Sequence, residues 1–169
     1  IDVVGFGCTA ASFFRGVEFN NQLVKRIEKE AGVPATTAIS AVVDALHFMN
    51  IKKISFAAPY INWSCEKARE FMESCGFQVL RVKGMGIYLR IGDLPPERAY
   101  LQAVEADDPE AEGIFVSCTD LRTIEILQKL EDKLRKPVIS SNQALMWRLL
   151  RLAGARKAIR GYGMLLEKT

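Results

Sequence analysis

The chain has 169 residues, 49% of them hydrophobic, and a formal net charge of +3, enough to bury a core as one globular unit or as two small lobes sharing a cleft. Its basic residues are scattered, with Lys52-Lys53 and the Arg148/Arg151 pair the only local concentrations, which offers nucleic acid no electrostatic stripe. No apolar run approaches the roughly 18 residues that cross a bilayer, no charged-then-apolar leader of secretory type is seen, and although four cysteines could make two disulfides in a secreted chain, a domain of this size with regular α/β patterning has no need of such staples; a cytoplasmic protein with reduced thiols and no membrane or nucleic-acid partner is expected.

The first strand is predicted over residues 1–6, and because it opens at Ile1 without a Met, an upstream segment is expected. A helix follows over 17–31, with Phe19, Leu23, Val24 and Ile27 on one face and Gly32 as its stop. A second helix is predicted over 36–49, opened by Pro34 and the Thr36-Thr37 pair. Residues 53–58 form an apolar strand run, and a helix over 62–75 takes Asn62 as N-cap and Gly76 as terminator. Residues 77–82 read as a strand, and Pro95-Pro96 starts a helix ending near Ala106. A strand over 113–117 is followed by a helix over 120–134, and a strand over 137–139 by a last helix, capped by Ser141 or Asn142 and reaching Leu152. The tail over 159–166, with Gly161-Tyr162-Gly163, reads as a loop leading into a short strand. This alternation predicts an α/β fold with a mostly parallel sheet.

Within that pattern two cysteines stand in matched contexts. Cys8 ends the run Val3-Val4-Gly5-Phe6-Gly7-Cys8-Thr9 and Cys118 ends Ile114-Phe115-Val116-Ser117-Cys118-Thr119, each where a strand gives way to a Thr-led helix start. Ligands of open α/β sheets bind at the carboxyl ends of strands, so the duplication points to two related lobes with two thiols facing one small site. Such a pair can move protons on and off opposite faces of a planar carbon. One thiolate can instead add to an activated double bond, allow rotation and leave again. Both routes need donors for a substrate carboxylate, and Thr9, Ser12, Thr119 and the backbone N–H groups after each cysteine are placed to supply them.

Other candidates carry less. The single histidine, His47, falls inside a buried-type helix and reads as a helix-face residue, which leaves no ligand set for zinc. Cys65 and Cys75 point in different directions around one predicted helix and read as packing residues. Gly5-Phe6-Gly7 and Gly84-Met85-Gly86 lack the third glycine of a dinucleotide fingerprint, so no cofactor is expected. Asp120, two residues after Cys118, is expected to raise that thiol's pKa by like-charge repulsion.

Five segments resemble one family in matching order: Gly7-Cys8-Thr9-Ala10-Ala11-Ser12-Phe13, residues 36–46 opened by Thr36-Thr37-Ala38, Pro59-Tyr60, Ser117-Cys118-Thr119-Asp120-Leu121-Arg122-Thr123, and Pro137-Val138-Ile139-Ser140-Ser141-Asn142-Gln143-Ala144. Together they resemble the maleate isomerase and arylmalonate decarboxylase branch of the aspartate/glutamate racemase superfamily. The resemblance implies two Rossmann-like lobes with the active-site cysteines related by a pseudo-twofold, here divided as residues 1–48 plus 141–169 and residues 49–140. It makes Cys8 the first catalytic cysteine, used by maleate isomerases as nucleophile, and Cys118 the second, their proton donor. Arylmalonate decarboxylases keep only the second and have Gly at the first. Tyr60 matches a tyrosine that hydrogen-bonds substrate carboxylate, and Thr9 and Thr119 match carboxylate-cradling positions.

The chain departs from that pattern in two places. It lacks the family's additional N-terminal strand with its Asn-bearing loop, and it has Gly84-Met85-Gly86-Ile87-Tyr88-Leu89-Arg90 where relatives have a more polar segment, with Arg90 read first as a solvated surface residue and only second as a carboxylate contact. The expected function is cofactor-independent isomerisation of a small dicarboxylate such as maleate, in a homodimer or larger homo-oligomer. The alternatives are an aspartate-type racemase, an arylmalonate-type decarboxylase, or a non-catalytic module that binds a carboxylate or a protein.

Overall fold

A computed structural model describes residues 1–168 as six parallel strands in two sheets. In the smaller, β1 (Val4–Phe6) pairs with β2 (Ala35–Thr37), Val4 opposite Ala35. The larger has the order β4 (Gln78–Gly84), β3 (Lys53–Ala58), β5 (Gly113–Val116), β6 (Val138–Ser140). Parallel strands covered on both faces carry near-continuous apolar runs: Ile54, Phe56, Ile114, Phe115 and Val116 of the two central strands are all fully buried. The helices are α1 (Thr9–Phe13), α2 (Gly16–Ala31), α3 (Ala38–Phe48), α4 (Asn62–Ser74), α5 (Pro96–Ala106), α6 (Leu127–Leu134), α7 (Ser141–Leu152) and α8 (Met164–Glu167). Among the described residues no helix is long and apolar enough to cross a membrane.

Although α7 lies late in the chain, it packs against α3, β2 and β1 near its start. Gly5 permits this contact, since a Cβ there would come within 2.9 Å of a Leu149 methyl. The smaller sheet is thus covered by a helix more than 100 residues removed in sequence, and the ends of β1 and β5 are brought to one seam.

The observed elements correct several sequence expectations. The first strand is shorter and begins at Val4. Residues 35–37 form a strand rather than the start of a helix; the β-branched Thr36 and Thr37 stay extended, and Thr37 caps α3 by accepting the Ser40 N–H. Ile61, not Asn62, is the N-cap residue of α4, with no side-chain cap. The helix expected over 120–134 is confined to Leu127–Leu134, and the segment before it runs as turns and bends, with the Ile126 N–H donating to the Thr123 carbonyl. α7 is capped not by Ser141 or Asn142 but by Ser140, in a reciprocal box with Gln143. The tail ends in helix α8 instead of a strand, its Met164 N–H donating to the buried Glu131 carboxylate at 2.7 Å.

Gly84 closes β4 against the Tyr60 turn. A Cβ there would lie 2.6 Å from the Tyr60 carbonyl oxygen and 2.8 Å from Cys65 Sγ. Gly84→Ala is expected to cost about 1–3 kcal/mol through overpacking, read as a lowered urea midpoint; an unchanged midpoint would contradict the packing described.

Candidate active site

Cys8 lies two residues beyond β1 and Cys118 two residues beyond β5, both at carboxyl ends of parallel strands. Hydrogen bonds stitch the two loops together. Thr119 Oγ1 donates to the Gly7 carbonyl at 2.8 Å. From the other direction, Thr9 Oγ1 donates to Ser141 Oγ at 3.0 Å, and the same oxygen accepts the Cys118 backbone N–H at 3.2 Å. Asn142 Nδ2 donates to the Thr119 carbonyl at 2.9 Å, holding the turn from behind.

Tyr60 enters from the end of β3. Its ring is buried, edge-on to Phe13 at 5.9 Å; its hydroxyl lies 3.2 Å from Ser117 Oγ and in hydrogen-bond contact with the Cys118 thiol. Burial pushes its phenol well above the usual tyrosine range, and negative charge on Cys118 or Cys8 would push it further. The phenol therefore remains a proton-bearing donor within electrostatic reach of both thiols.

The two cysteines sit in unequal surroundings. Cys8 is solvent-exposed, in extended conformation at the N-cap of α1. Cys118 is buried, and its φ of +93° is a conformation that costs a residue with a side chain about 1–3 kcal/mol and persists only where its surroundings over-determine it. Burial pushes the Cys118 thiol up, while the backbone N–H groups of Asp120 and Leu121 and the Tyr60 hydroxyl draw it down. The Asp120 charge raises it as expected from sequence, but as a smaller influence than burial. The net direction is upward, so Cys118 carries its proton at neutral pH and is equipped to donate it.

Five of the six residues expected at the site, Cys8, Cys118, Thr9, Tyr60 and Thr119, meet along this seam. The sixth, Ser12, is fully buried and donates to the Cys8 and Thr9 carbonyls within the first turn of α1. From sequence, Ser117, Ser141 and Asn142 have no evident part in the site, the last two reading only as caps of the final helix, although all three lie in segments that carry the family resemblance. Arg90 is exposed and paired with Asp93. His47 is exposed on α3, edge-on to Phe77 at 4.9 Å. Burial pushes Cys65 and Cys75 each up to about 11, and neither joins the seam.

Iodoacetamide labelling of Cys118, followed against pH by peptide mass spectrometry, is expected to show a midpoint above that of an ordinary thiol. Asp120→Asn should lower that midpoint by a few tenths of a pH unit, the scale of an exposed charge interaction of about 0.2–1 kcal/mol. An upward shift would contradict the electrostatics described.

The family model of arylmalonate decarboxylase matches residues 1–166. Arylmalonate decarboxylase of Bordetella bronchiseptica is 32% identical over 99% of this chain and 72% of its own length. Maleate isomerase of Pseudomonas putida is 26% identical over 99% of this chain and 70% of its own length. Among solved structures, a glycine-to-cysteine mutant of arylmalonate decarboxylase superposes with a TM-score of 0.91 at 29% identity, covering 98% of this chain and 73% of that one. Fold and sequence agree, and the chain belongs to the arylmalonate decarboxylase family, in which the curated relatives similar to it are named arylmalonate decarboxylase and maleate isomerase.

Proposed function

We propose that the protein is a cofactor-independent isomerase of a small dicarboxylate, maleate or a close relative, with Cys8 as nucleophile and Cys118 as acid. The observation that carries this reading is the asymmetry of the two thiols. A nucleophile must meet incoming substrate, and Cys8 is exposed; an acid must keep its proton in a dry setting, and Cys118 is buried with its thiol pushed up. A racemase working equally from both faces has no need of such unequal surroundings.

The Cys8 thiolate forms a bond to one alkene carbon as the π bond breaks, and the electron pair arriving at the adjacent carbon takes the Cys118 proton. Rotation about the new single bond carries the carboxylates apart. The Cys118 thiolate then takes a proton back, the double bond re-forms, and the Cys8–carbon bond breaks to return the thiolate. Charge that builds on a carboxylate during addition is met by the Tyr60 hydroxyl and by donors of the Thr9 and Thr119 turns. Ser12 supports this from within α1 by fixing the Cys8 turn.

A decarboxylase reading is favoured by the 32% identity to the Bordetella enzyme. There a malonate-type substrate would lose carbon dioxide and the resulting enediolate would take the Cys118 proton, with no part for Cys8. The two readings separate on Cys8. For the isomerase, Cys8→Ser and Cys118→Ser should each lower maleate turnover by about 10²–10⁴-fold, and Cys118→Ser incubated with maleate should gain the mass of one substrate on Cys8. Full activity in either variant sinks the isomerase. Arylmalonate turnover that survives Cys8→Gly but not Cys118→Ser would establish the decarboxylase.

A further inference from the structure

The geometry points to Ser141 as a positioning residue, whose single hydroxyl oxygen fixes the spacing and orientation of the two cysteine loops; this inference rests on the two-thiol reading above. Ser141 is the first residue of α7 and is fully buried. The simplest role for a serine there is to cap its own helix, and that role is already filled. Ser140 Oγ accepts the Gln143 N–H at 3.2 Å and Gln143 Oε1 accepts the Ser140 N–H, so the α7 cap is complete without the Ser141 side chain.

The oxygen is spent elsewhere, on two donors from opposite sides of the seam. One is Thr9 Oγ1, immediately after Cys8; the other is the backbone N–H of Cys118 itself. That second bond bears on the strained residue. With φ at +93°, Cys118 tends to relax toward negative φ, and an acceptor on its N–H, behind the thiol, holds the peptide in place. The same turn presents the N–H groups of Asp120 and Leu121 to the sulfur. Tyr60 is held separately, through Ser117, so loss of the Ser141 hydroxyl should disturb the acid and leave the phenol in place.

A role through one shared oxygen has a signature that ordinary packing lacks: a change beside Cys8 must be felt at Cys118. On the purified protein, iodoacetamide labelling of Cys118 is followed against pH for Ser141→Ala and Thr9→Val, alongside urea midpoints. Relaxation of the turn withdraws two donors from the thiolate, so both variants are expected to label Cys118 about threefold more slowly or worse at a fixed pH near 8, with the midpoint moved upward. The labelling of Cys75, far from the seam, should not change. With maleate, kcat should fall about tenfold or more for Ser141→Ala while KM moves less than about twofold, and the double variant should fall short of the sum of the two single effects.

Labelling requires no turnover, so a wild-type protein inactive on maleate would defeat the proposed reaction and leave the Ser141 test standing. Unchanged Cys118 labelling in Ser141→Ala, even with a lowered urea midpoint, would reduce Ser141 to a structural residue and overturn the proposal. Should Ser141→Ala fail to fold, Thr9→Val decides: an unaltered Cys118 profile there overturns it equally.

Discussion

Everything at the seam depends on a cross-bond between two loops that leave separate sheets. Thr119 reaches across to the Gly7 carbonyl, and Thr9 reaches back to the oxygen that also holds Cys118. Each such bond is worth about 0.5–1.5 kcal/mol net. The Cys118 N–H and the Thr9 hydroxyl are buried, and an unmet buried donor costs about 1–3 kcal/mol, so separating the loops forfeits more than the bonds themselves. Strand ends, helix starts and thiols are thereby set in one arrangement.

Water exclusion then differentiates two residues of the same type. Burial disfavours the charged form of any acid, which keeps the Cys118 and Tyr60 protons in place, while Cys8 stays at the solvent boundary. Two identical side chains thus acquire unequal surroundings from their distance to bulk water. The neighbouring donors partly offset the upward push of burial on Cys118.

Much of this was legible in the sequence. The apolar runs around Ile54-Ser55-Phe56 and Ile114-Phe115-Val116 announce buried parallel strands, and Cys8 and Cys118 announce themselves by following such runs. Failures came where one pattern served two purposes. Thr36-Thr37 beside an Ala-rich helix reads as a helix start, yet β-branching and pairing with β1 keep it extended. Leu121, Ile124 and Leu127 have helical spacing, but that spacing does not become a helix before residue 127: Leu121 is buried from a bend, while Ile124 is exposed. Of the adjacent Ser140 and Ser141, the Ser-x-x-Gln spacing to Gln143 marks the first as the cap, which leaves the Ser141 hydroxyl free for another role. The contact between Ser141 and Thr9 had no local signal, since it depends on the docking of α7 onto β1 and β2.

That docking has a consequence for how the molecule comes into being. Thr9 and Ser141 are 132 residues apart in sequence, and at about 5–20 residues per second of synthesis the first cysteine loop waits on the order of ten seconds for the serine that completes it. During that interval β1, β2 and α3 lack the helix that covers them, and the larger sheet, assembled from consecutive elements, is free to form first. A nascent chain stalled before α7 would carry a nearly finished half beside an uncovered two-stranded ribbon, a species inviting chaperone binding or degradation. The thiol seam is thus completed late and all at once.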